Sequence, residues 1–195
     1  MGKQKYLKKI NSLFLKSPVV SYASIARIVE YKKNTNRYAK RLVNELLKKE
    51  KIKKLSKGYY TKLDDISLIV FCFQPAYFGL QDALSFHNLW EQETIPIVIT
   101  TKKIRSGIRK IFGSNVLIRR IKKKYFFGVE YQQQQRIAIP YSDIEKTFID
   151  MIYFQENLNK ETTNEIKKRI NGKKIGLYLK NYPLRFRRKI VQIMK

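Results

Sequence analysis

Apolar residues recur at helical spacing three times within the first fifty positions. Tyr6, Leu7, Ile10, Leu13 and Phe14 form one stripe, with Lys3, Lys5, Lys8 and Lys9 between them, and Pro18 closes the segment. Ala23, Ile25, Ala26 and Val29 form a shorter stripe behind Ser21, whose side-chain oxygen suits the free amides of a first helical turn. Asn34 and Thr35 offer the cap for a third helix, in which Ala39, Leu42, Val43, Leu46 and Leu47 repeat at i, i+3, i+4, i+7 and i+8. Opposite that stripe stand Asn36, Arg37, Lys40, Arg41 and Asn44. From Ile52 to Thr61 the period drops to two around Lys57-Gly58, which predicts a β-hairpin carrying Lys53, Lys54, Lys57, Tyr59 and Tyr60. Of the two tyrosines, alternation puts one in the core and leaves the other for a surface contact.

Further along, Ile66 to Phe73 is a continuous apolar run, read as a buried strand or the start of a core layer. Pro75 to Trp90 reads as a turn followed by an amphipathic helix. Pro96 to Thr101 and Val116 to Ile121 read as strands, and Tyr125 to Val129 with Arg136 to Ile139 as a strand pair. A helix opens at Tyr141 to Asp150, capped by Ser142 or Asp143. Glu161 to Ile170 and Ile175 to Leu179 read as short helices, and a last one follows Pro183. There Leu184, Phe186, Ile190, Val191 and Ile193 supply apolar contacts, so the end is folded rather than a loose arm. The fold class expected is α+β. Residues 1–63 would form an N-terminal winged helix-turn-helix, and residues 64–195 a small mixed domain with a basic helical end from about 159.

Charge sharpens this picture. The 195 residues hold 42 Lys/Arg against 15 Asp/Glu, a net +27, while 44% hydrophobic residues provide a core. Residues 1–62 carry 18 basic and 3 acidic residues, 63–158 carry 12 and 10, and 159–195 carry 12 and 2. A basic head and a basic end on a nearly neutral body point to a polyanionic partner, with nucleic acid ahead of an anionic membrane surface. No apolar stretch reaches the roughly 18 residues of a membrane span, and the basic start lacks the apolar stretch of a secretory signal, so a cytoplasmic, nucleoid-associated protein is expected.

Two short helices joined by a tight connection, the second bearing Asn and Arg on its exposed first turns, match a helix that enters the major groove. Arg suits guanine O6/N7 and Asn suits adenine N6/N7, both by bidentate geometry. The candidate DNA-binding set is therefore Ser21, Asn34, Thr35, Asn36, Arg37, Lys40, Arg41 and Asn44, with Lys53, Lys54, Lys57 and Tyr59 from the hairpin reaching phosphates. Arg185, Arg187, Arg188 and Lys189 are added as phosphate contacts, with solvent as the competing fate. An RNA-binding protein using basic surface and exposed aromatics is the alternative.

Catalytic chemistry finds little purchase. One cysteine, Cys72, and one histidine, His87, leave no material for a disulfide, a cysteine zinc cluster or a Ser-His-Asp triad, and His87 is read as structural or a plain surface residue. Asp143, Glu145 and Asp150 invite a metal-nuclease reading, but Glu145 and Asp150 do not share a helix face. Asp143 is read as a cap, and Glu145 with Lys146 as surface or interdomain pairing. No phosphate-binding glycine motif is present. No catalytic residue, metal or cofactor is assigned.

The order of segments "KGYYT", "YFGLQDALSFHNLW", "PIVITT" and "RIAIPYSDIEKTFIDMI" resembles the AbiEi family of antitoxin-type transcriptional regulators, from about Ser21 to Phe154. The most telling pieces are a Tyr-x-Gly-x-x-x-Ala-Leu helix at Tyr77 to Leu84 and Glu145-Lys146-Thr147 with Asp150. The resemblance implies a prokaryotic regulator of a type IV toxin-antitoxin system that binds its own operator or promoter. Its implied partner is a nucleotidyltransferase-like toxin encoded nearby.

Overall fold

The computed structural model describes residues 2–29 and 36–194. The chain divides into two compact units, residues 1–72 and 73–195. Both are mixed α and β.

In the first unit, α1 (Gly2–Lys16), β1 (Val19–Ser21), α2 (Tyr22–Val29) and α3 (Asn36–Lys48) precede the hairpin of β2 (Lys53–Ser56) and β3 (Tyr59–Thr61). The three strands form an antiparallel sheet in the order β1-β3-β2, with Val20 beside Tyr60. The predicted stripes meet in one core: Ile10 from α1, Ile25, Ala26 and Val29 from α2, Ala39, Leu42, Val43 and Leu46 from α3, and Tyr60 from β3. Ala26 and Ala39, both buried, add little bulk where α2 meets α3.

The apolar run after the hairpin is not a strand. Ile66–Cys72 is a 3₁₀ helix with Leu68, Ile69, Val70 and Cys72 buried. Its start is set locally: the Asp65 side chain accepts from the Ser67 amide at 2.8 Å and the Asp65 carbonyl from the Leu68 amide. Such a turn competes with extended chain, and a continuous apolar run does not distinguish the two.

The second unit is built on a six-stranded mixed sheet. Its strands are β4 (Ala76–Phe78), β5 (Ile97–Thr100), β6 (Gly107–Ile111), β7 (Ser114–Arg120), β8 (Val129–Gln134) and β9 (Ile137–Ser142), in the order β6-β7-β5-β4-β9-β8. The β5–β7 and β4–β9 pairs are parallel. The helices are α4 (Gln81–Phe86), α5 (Ile144–Tyr153), α6 (Lys160–Arg169), α7 (Gly172–Leu179) and α8 (Leu184–Met194). Ile97 and Ile99 of the sheet share one core with Leu84, Phe148, Ile149 and Ile152, and with Ile166, Ile175, Leu179, Tyr182 and Ile190 of the basic C-terminal helices. The C-terminal end is therefore folded onto the unit, as its apolar spacing predicts.

Three expectations shift. Tyr77 lies on β4 and not on a helix; only Gln81–Phe86 is helical, after a turn at Gly79-Leu80. The strand pair is β8–β9 rather than 125–129 with 136–139, because Tyr125 sits in a short 3₁₀ turn and the strands run through the polar glutamines and through Pro140. Strand β6, two cations among five residues, was not anticipated.

Candidate nucleic-acid interface

Helix α3 carries two interleaved stripes. Ala39, Leu42, Val43 and Leu46 are buried, while Arg37, Lys40, Arg41 and Asn44 are exposed. The exposed four fall at i, i+3, i+4 and i+7, so they share one face by helical geometry. They line a single open groove with Glu45, Leu47 and Lys48. Tyr38 packs edge-on against Tyr6 of α1 at 6.0 Å, which fixes the rotation of α3. Glu45 was missed in the sequence: its Oε1 lies 3.7 Å from Arg41 Nε, an i,i+4 pair in which Arg41 is largely exposed. Such a pair contributes about 0.3–0.5 kcal/mol, small enough for an incoming phosphate or base edge to displace.

The Ser21 hydroxyl oxygen accepts from the Ser24 amide at 3.1 Å and lies 2.9 Å from Ser24 Oγ, so Ser21 caps α2 as its position predicts. The Tyr22 amide donates to the Gly58 carbonyl at 2.7 Å, tying the start of α2 to the hairpin turn. Asn34 and Thr35 lie outside the described residues, and Asn36 opens α3.

In the hairpin, Lys54 and Lys57 are exposed, whereas Lys53 Nζ is bound to Asp64 at 2.6 Å. Tyr60 is the core tyrosine, its hydroxyl pKa raised by burial and by nearby Tyr22, and Tyr59 is half-buried.

The C-terminal arginines separate by role. Arg187 donates through Nε to the Tyr182 carbonyl and through Nη2 to the Lys180 carbonyl, both at 2.6 Å, so it closes the carboxyl end of α7. Arg185, Arg188 and Lys189 are exposed on α8, at positions that share a face.

The carboxylates that invite a metal-nuclease reading are engaged in the core and at a helix cap. Asp143 caps α5, its Oδ1 accepting from the Lys146 amide at 2.7 Å, while its Oδ2 accepts from Tyr178 Oη at 2.7 Å and Lys174 Nζ at 3.1 Å. Lys174 also bridges to Glu145 at 2.8 Å; burial opposes its charge, but the two carboxylates outweigh it and hold its pKa up. Lys146 and Asp150 form an ion pair with no exposure on either side chain, and Tyr77 Oη donates to the second Asp150 oxygen at 2.7 Å. Glu145 and Lys146 are thus core residues, not a surface pair. The reason is that every residue of α5 from Glu145 to Ile152 is buried, leaving no solvent face for charge. Burial presses Lys146 down and Asp150 up, each opposed by the other's charge. Gly128 permits this closeness: at φ +65°, an added Cβ there would meet Lys146 Cβ at 2.8 Å. Among the described residues, no three His, Cys, Asp or Glu side chains converge to hold a metal ion. None of the helices described is long and apolar enough to cross a membrane.

No family model and no curated protein matches the chain. Among solved structures the fold is similar to the crystal structure of the RV2827C protein from Mycobacterium tuberculosis. The TM-score is 0.59 at 9% identity, over 97% of this chain and 76% of that one. At that identity the two chains share a mixed α+β fold, and the likeness stops there.

Proposed function

We propose that the chain is a sequence-specific duplex-DNA-binding transcription regulator, an AbiEi-like antitoxin that represses its own operon in the prokaryotic cytoplasm. Its first unit would act as a winged helix-turn-helix, with α3 in the major groove and the β2–β3 hairpin as the wing. The observation that carries this reading is the single exposed face of Arg37, Lys40, Arg41 and Asn44, backed by a buried stripe that fixes its orientation. Arg and Asn on that face offer the bidentate donors and acceptors that base edges require, and Lys54 and Lys57 on the hairpin offer mobile charge to phosphates.

The test is binding of the full chain to DNA from upstream of its own gene and to a scrambled duplex of equal length. Arg37→Ala or Asn44→Ala should cost roughly 1 to 3 kcal/mol on the upstream DNA and clearly less on the scrambled duplex. Equal losses on both would reduce the face to phosphate contacts. Stronger competition by single-stranded or A-form RNA would favour an RNA-binding protein. That reading needs exposed rings for base stacking, and among the described large hydrophobics Tyr131 is the exposed aromatic. A toxin partner is tested by co-expression with the neighbouring reading frame.

A further inference from the structure

Residues 94–129 carry ten Lys/Arg and no Asp/Glu. Summed over residues 63–158, this excess is masked by ten acidic residues that lie outside the segment. Strands β5 and β7 run parallel with Thr100 beside Arg120, so the chain leaves both at the same end of the sheet. Strand β6 begins at that end too, with Gly107 beside Ile118. The two exits are joined by the Ile121 amide, which donates to the Thr100 carbonyl at 2.9 Å, and the β5 exit is turned by the Lys102 amide donating to Thr100 Oγ1 at 3.1 Å. Lys103, Arg105, Arg120, Lys122, Lys123 and Lys124 are thereby gathered on one rim, and all six are exposed. Glu156, which reaches β7, is taken by Arg119 at 2.6 Å, and among the described residues no ion pair joins the six to an acid.

Strands in a sheet lie about 4.8 Å apart, so the rim packs like charges within a Debye length of one another. A polyanion relieves that repulsion. We propose that this rim binds the phosphodiester backbone of a nucleic acid, through contacts separate from those of α3. Four of the six cations are lysines on chain exits, mobile point charges suited to phosphate and indifferent to sequence. An acidic protein partner would need a larger desolvated apolar anchor than the exposed Ile108 of β6 offers, since the neighbouring aromatic, Tyr125, is buried in the core.

The test uses the full chain carrying Lys103→Ala, Lys122→Ala and Lys123→Ala together. A charge-matched control carries Lys160→Ala, Lys173→Ala and Lys180→Ala. Anisotropy titrations on a random-sequence duplex over a range of salt should show the slope of log K against log salt flattened by between 2 and 3 in the rim variant, at about 0.9 per lost contact. The control should keep the wild-type slope, and Lys→Arg at the three rim positions should restore it. Repeating the rim substitutions on top of Arg37→Ala and Asn44→Ala should weaken random-duplex binding by the same factor, which separates the rim from the α3 reading. With folding confirmed by matched circular dichroism and melting, an unchanged slope, or an equal change in the control, overturns the proposal. So does a variant that loses binding to poly-glutamate while retaining duplex DNA and single-stranded RNA.

Discussion

Lys146 and Asp150 are both fully buried, one turn apart on α5, with Tyr77 donating to the same carboxylate. Removing one partner strands the other charge in the core. Lys146→Met should therefore lower unfolding stability by about 3–5 kcal/mol, whereas Lys146→Met with Asp150→Leu should recover much of the loss, since apolar replacement of a whole buried pair is often neutral. Denaturant unfolding of wild type, Lys146→Met, Asp150→Leu and the double variant checks this, and additive losses would show that the pair is not coupled. Asp82 gives a pH effect. Half-buried at the start of α4, it is pushed up to about 7 by burial, against the pull of the Ile97 amide that donates to its Oδ2 at 3.0 Å. An unfolded Asp titrates near 3.9, so the folded chain binds this proton more tightly. The resulting stabilisation is complete below about pH 4, fades as pH rises toward 7 and is gone above it. Asp82→Asn keeps an acceptor for Ile97, so its stability relative to wild type should rise between pH 4 and 7 and level off thereafter. A difference that stays flat across that window would contradict the shift.

At the scale of elements, helix and sheet in the second unit meet through Gly79. An added Cβ there would lie 2.4 Å from Ile99 Cδ1 and 3.3 Å from Tyr77 Cε2, and both side chains are fully buried, so Ile99 would have to shift within the core. Gly79→Ala should destabilise by about 1–3 kcal/mol, and adding Ile99→Val, which lacks that methyl, should return part of it. Thermal melts of the single and double variants decide whether the clash is the cause. This contact, like several short elements, was hidden from the sequence. Strand β4 is three residues long, and β6 mixes Arg109 and Lys110 into five, too short for alternation to stand out. Helix α3 was legible because thirteen residues keep one period, and Ser21 because a cap needs only its neighbours. Glu145 and Lys146 read from sequence as a surface or interdomain pair because charged side chains usually face outward; only the burial of α5 on every side reverses that. The rim at the exits of β5 and β7 went unseen because it depends on which strands run parallel.

At the scale of the molecule, about half of the acids are withdrawn by burial or by pairing. Asp143, Glu145 and Asp150 are buried, and Glu156, Glu45, Asp64 and Glu165 are engaged by neighbouring cations. The exposed face of α3, the hairpin tip, the rim of the second sheet and α8 are left to Lys and Arg. The lone histidine is spent internally as well: His87 is buried, and its Nε2 donates to the Ser142 carbonyl at 2.8 Å. A surface charged in this way is responsive to counter-ions. On the proposed function, its hold on a polyanion would be set by the ionic composition of its surroundings, by magnesium and polyamines as well as by monovalent salt.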